Sequence, residues 1–224
     1  MRQTDDTLQF INELELDPIQ VALEGLIEPE AVGLPTDIKF LQLPYKRGGA
    51  GAMTFWALLL EMKPALEATS FKRLAHLGLM TSKGKQIEKY FKSEMLTLEE
   101  CKPYVYLYLE NYPRSPLYFF NLGLLTDREC IERTLASEQP GVIHALYQEG
   151  VASVEDILPT LLRLFKRDLA ATEPKEFFVL STVDFYYQNI PKSARHLAIE
   201  VTKEYLKQQP QFVEICQRSG YLDV

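Results

Sequence analysis

Sulfur, imidazole and indole are scarce in this 224-residue chain, which has three cysteines, three histidines and one tryptophan. Cys101, Cys130 and Cys216 are odd in number, far apart and free of any CxxC spacing, which argues against a secreted disulfide framework. His76, His144 and His196 fall in different predicted helices, and none belongs to an HxxxH, HExxH or ExxH motif that would hold a metal. There is no GxSxG, and the carboxylates form no pattern beyond helix starts and exposed faces. Spacing alone assembles no nucleophile, base and orienting group, so the expectation leans away from an enzyme, with no cofactor and no metal. A site built between helices from His144 or His196 and nearby acids stays open as a third class.

Long apolar runs are also missing. The longest, Ala52 to Leu60, covers nine residues, too few to span a bilayer. The opening MRQTDDTLQFINELEL carries acids where a secretory signal needs an apolar centre. The expectation is a cytoplasmic protein without membrane insertion. Nor is there an excess of positive charge: 24 basic residues stand against 31 acidic ones, a net of −7. Neutralising phosphates is the main source of nucleic-acid affinity, so this balance disfavours nucleic acid as a partner while leaving room for a local basic patch.

What the chain does have is a core and clear helix punctuation. Hydrophobic residues make up 46% and charged residues 25%, the balance of an ordinary globular protein that buries about 70% of its unfolded surface. Asp17 followed by Pro18 reads as a cap and a first-turn proline. Pro64, Pro116, Pro140, Pro174 and Pro191 each precede apolar residues at helical spacing. Thr97 with Glu100 and Thr126 with Glu129 are capping boxes, and Ser153–Asp156 and Ser181–Asp184 are shorter versions. Val154, Ile157, Leu158, Leu161, Leu162 and Phe165 trace one face of a helix, as do Ala194, Leu197, Ala198, Val201 and Tyr205. Tyr104 to Leu109 is apolar on both sides and reads as a buried strand or, given the start at Thr97, a central buried helix.

Thr69, Thr97, Thr126, Ser153 and Ser181 are separated by 28, 29, 27 and 28 residues. That spacing suits a helical hairpin repeated from residue 69 to 208, and a bundle of similar helices would also produce it. The fold class is therefore mainly α: stacked helical hairpins with repeats of about 28 residues, or an irregular helical bundle. Residues 52–224 form its all-helical domain. Residues 1–51 carry prolines, glycines and a DIKFLQL stretch (Asp37 to Leu43) that suits a short strand, and they read as an irregular N-terminal cap of the same unit.

Two sites stand out. One is a surface for a protein partner. Aromatic residues cluster at 104–120 and at Phe185–Tyr187, and Tyr112, Arg114 and Tyr118, beside the ENYPRSP turn, are the exposed candidates. The other is an anion site. The glycine-rich Lys46-Arg47-Gly48-Gly49-Ala50-Gly51 enters a helix N-terminus, although it lacks the ending of a P-loop. Lys85, Lys89 and Lys92 add charge from a basic helix, opposite the apolar Ile87, Tyr90, Phe91 and Met95. Residues 63–92 hold seven basic and two acidic residues, and residues 93–162 hold four basic and eleven acidic ones, an asymmetry able to guide a charged partner. The leading expectation is a cytoplasmic interaction module that binds a protein. The alternative is a binder of a phosphate-bearing ligand, nucleic acid or nucleotide. Cys101 and Cys130, each fourth after its cap, read as packing residues, with a thiol activated by the helix N-terminus as the other reading. Oligomeric state is not legible in the sequence.

Overall fold

The computed structural model describes Ile11 and residues 15–222. Among these there is no strand and there are thirteen α-helices, joined by turns and short 3-10 segments, so the fold is mainly α. The chain divides into two compact units at Tyr112/Pro113.

The first unit contains α1 (Pro18–Leu23), α2 (Lys39–Lys46), α3 (Ala52–Met62), α4 (Ala68–Thr81), α5 (Ile87–Lys92) and α6 (Leu98–Asn111). Asp17 caps α1 by accepting the Ile19 N–H at 3.0 Å, with Pro18 in the first turn. Asp37 to Leu43, expected as a strand, is helical: a 3-10 turn at Thr36–Ile38 leads into α2. The reason is spacing. Ile38, Leu41 and Tyr45 are buried on one helical face, whereas a strand would have buried Phe40 and Gln42 with Ile38. Leu23, Ile38 and Leu41 are fully buried, so residues 18–51 belong to the packed body of this unit, built of short helices and 3-10 turns. The boundary between units lies at Tyr112/Pro113. Tyr104 to Leu109 is a helix, in the middle of α6, where only Val105 and Leu109 are buried.

The second unit contains α7 (Pro116–Asn121), α8 (Asp127–Ala136), α9 (Pro140–Gln148), α10 (Val154–Ala171), α11 (Glu176–Asn189), α12 (Arg195–Gln208) and α13 (Val213–Arg218). The eighteen-residue α10 is its spine and packs against α8, α9, α11 and α12. Ile157, Leu161, Leu164 and Phe165 on α10 are fully buried with Val179, Val183 and Tyr186 on α11. The Phe165 and Tyr186 rings stack at 4.7 Å.

The capping boxes at Thr97, Thr126 and Ser153 are complete, the last with aspartate in the glutamate role. Thr69 is the second residue of α4 and makes no cap, and Ser181 lies in the middle of α11. The regular spacing is thus confined to the three helix starts at Thr97, Thr126 and Ser153, with the starts of α7 and α9 between them, and a tandem repeat is not confirmed. Ser181 and Asp184 have the composition of a box, but the helix has already begun at Glu176, which leaves no unpaired amides for them to satisfy.

Candidate functional site

The glycine-rich turn of the first unit is shaped by packing. A Cβ at position 51 would lie 2.1 Å from the Pro44 carbonyl oxygen, so glycine there lets α3 start directly against the last turn of α2. Gly48 adopts φ +52°, which glycine tolerates best. Gly49 lies under the Lys85 side chain, whose Nζ would be 2.9 Å from a Cβ at that position. The turn and the basic segment, distant in sequence, therefore meet at Gly49 and Lys85.

The other basic residues of the expected anion site are dispersed. Lys46 and Arg47 are exposed at the end of α2, and Lys46 Nζ runs toward Gly25, just past α1. Lys89 Nζ sits 4.7 Å from the centre of the Trp56 ring, a cation–π contact. Lys92 pairs with Glu88 one turn back at 2.5 Å.

Tyr112 follows α6 in the first unit, exposed, with its ring 4.6 Å from that of Tyr108. Arg114 and Tyr118 are exposed in the second unit, and the Tyr118 ring meets Phe119 edge-on at 5.2 Å. The three candidate interface residues thus belong to two different units.

Of the three histidines, His76 and His144 are half-buried. His76 Nδ1 is 2.8 Å from the Tyr104 hydroxyl, and burial pushes the imidazole pKa below its usual value. Burial also lowers His144, on α9, while His196 is exposed at the start of α12. All three cysteines are buried free thiols. Burial, followed by the nearby Glu100 charge, pushes Cys101 up to about 11, and burial raises Cys130 and Cys216. Neither helix-start thiol is activated, because loss of water around the thiolate outweighs the helix terminus. No cluster of three or more metal-ligating side chains occurs among the described residues.

The most distinctive surface is on α11, where the sequence EFFVLSTVDFYYQN has apolar residues on every side. Val179, Val183 and Tyr186 face the core. On the opposite side Phe177 is 74% exposed, Phe178 42% and Phe185 45%. Phe178 and Phe185, two turns apart, form one side of a groove of about 440 Å³. Its other members include Asp168 and Thr172 at the end of α10, and Glu173 just beyond it.

The polar groups of this groove are largely engaged within the protein. Tyr186 donates to Asp168 at 2.5 Å, Arg167 Nε donates to the other Asp168 oxygen at 2.9 Å, and Lys175 pairs with Glu173 at 2.5 Å. Thr172 and Thr182 hydroxyls bond each other at 3.0 Å. Lys175 Nζ also lies 6.0 Å from the centre of the Phe178 ring, and the Phe178 and Phe185 rings remain 42% and 45% exposed, so the groove suits docking better than acid–base chemistry. The aromatic clusters legible in the sequence, 104–120 and Phe185–Tyr187, do not include Phe177 and Phe178. The signal that finds them is the two-sided apolar pattern of α11, since such a helix is normally buried all round.

No family model matches the chain, and no curated protein or solved structure matches it significantly. No helix among the described residues is long and apolar enough to cross a membrane.

Proposed function

We propose that this protein is an interaction module that binds a protein partner through the aromatic face of α11, in a reducing cytoplasm compatible with its three free thiols. The observation that carries the reading is the exposure of Phe177, Phe178 and Phe185 along one side of a helix whose other side is fully buried. Three clustered phenyl rings held in water lose hydrophobic stabilisation that a partner surface restores. Tyr112, Arg114 and Tyr118 offer further aromatic and guanidinium surface of the kind that interfaces favour.

The test is a comparison of wild type with the Phe178→Ser/Phe185→Ser double variant in quantitative affinity capture. Both positions are solvent-facing, so the variant keeps its melting temperature and loses the partner. Capture of the same partner in the same amount would refute the reading.

A second reading, binding of a phosphate-bearing ligand, is favoured by the meeting of Gly49 with Lys85. It predicts oligonucleotide binding that falls steeply with added salt and weakens in a Lys46→Ala/Arg47→Ala/Lys85→Ala variant. The engagement of Lys89 and Lys92 within the protein makes it the weaker reading.

A further inference from the structure

We propose that the first unit carries a separate docking groove for an apolar peptide segment bearing lysine or arginine, a site independent of the α11 face. One wall is a stripe of α3, where Leu58, Glu61 and Met62 follow helical spacing and Leu66 continues it beyond the Lys63–Ala65 turn. The facing wall is the 3-10 turn at Thr36–Ile38 and the start of α2, which contribute Asp37 and Phe40. They enclose about 280 Å³. Phe40, a large apolar side chain of this wall, is 64% exposed.

Each wall carries one carboxylate, and here the contrast with the α11 groove is sharp. Asp37 and Glu61 make no hydrogen bond or ion pair with any described residue, and no cation lines the groove. The neighbouring lysines are committed elsewhere: Lys39 pairs with Glu28 at 2.5 Å, and Lys63 Nζ lies 5.6 Å from the centre of the Phe71 ring. A neutral apolar segment seated in this groove would strip water from two unpaired carboxylates, which is costly. An acidic segment would add repulsion. A segment carrying apolar residues with a cation on each flank fills the apolar floor and pairs both carboxylates, so electrostatic complementarity selects it.

The experiment uses the full chain and a fluorescein-labelled amphipathic helix of leucine and lysine, read by anisotropy at low salt. A second probe carries glutamate in place of each lysine, and a third carries serine. The leucine–lysine probe binds, and the other two bind at least about tenfold more weakly. Asp37→Asn/Glu61→Gln weakens the leucine–lysine probe by at least about tenfold, with an unchanged thermal melt because both side chains are exposed and unpaired. Glu149→Gln/Glu200→Gln, which removes the same net charge from exposed positions of the second unit, leaves the affinity unchanged. Phe178→Ser/Phe185→Ser also leaves it unchanged, so failure here and failure of the α11 reading are separable. Equal weakening by the two carboxylate variants would mean general attraction to an acidic protein and would overturn the proposal. So would retention of affinity in Asp37→Asn/Glu61→Gln, or equal binding of the serine probe.

Discussion

Gly51 lies so close to Pro44 that the space for a single methyl group at position 51 is occupied by the Pro44 carbonyl, 2.1 Å away. This contact accounts for the glycine at position 51 without a ligand. The φ of Gly51 is −93°, which any residue adopts, so its requirement is steric and not conformational. The partner is backbone, which cannot swing aside as a side chain does.

Gly51→Ala is therefore expected to destabilise by about 1–3 kcal/mol or more, as overpacking does. Gly49→Ala meets only the flexible end of Lys85 and costs far less. Thermal melts of the two variants, run side by side, check the difference. Equal melting temperatures would show that the α2–α3 corner is looser than described.

The helix starts make a second set of expectations. Thr97→Ala, Thr126→Ala and Ser153→Ala each remove a closed capping box and cost about 1 kcal/mol. Ser181→Ala is close to neutral, because Ser181 is an exposed residue inside α11 and caps nothing. Urea unfolding of the four variants separates the two classes. A Ser181→Ala loss as large as the others would restore the regular helix-start register.

Acid should weaken the first unit in two stages. Burial holds His76 below its ordinary value of 6.5, so the unfolded state takes up a proton first and stability begins to fall as pH drops below that value. Glu100 is held at about 2 by the Thr97 N–H and by Lys72, against an ordinary 4.5. Its contribution is complete above pH 4.5 and disappears as pH falls toward 2. Glu100→Gln flattens the lower stage, and His76→Gln the upper one. Stability curves measured from pH 7 to pH 3 test both signs.

The three thiols are predicted to be silent in the native state. All are buried, and all have raised pKa values. Ellman's reagent at pH 8 should react with none over minutes, and with three per chain in denaturant. Rapid native reaction of Cys101 or Cys130 would reinstate the activated-thiol reading.

Much of the helical architecture was legible because its signals are local. A cap needs only a hydroxyl and an acid three residues apart, as at Thr97 and Glu100, and a first-turn proline such as Pro116 or Pro140 acts on its own amide. DIKFLQL reads as a strand because Ile38, Phe40 and Gln42 alternate as a strand would, while the competing stripe Ile38, Leu41, Tyr45 extends past Leu43. Ser181 misled because box composition says nothing about whether the helix has already started.

The sequence by itself determined the mainly helical fold and the helix starts at Asp17, Thr97, Thr126 and Ser153, because each start rests on groups within a few residues of one another. Tertiary structure alone decided the break at Tyr112/Pro113, the meeting of Gly49 with Lys85, and which aromatics stay in water. Phe177 and Phe178 have the same composition-level weight as Val179, yet only Val179 of the three is buried. Burial depends on which face a neighbouring element covers, and that is a property of packing between distant segments, not of any residue's own chemistry.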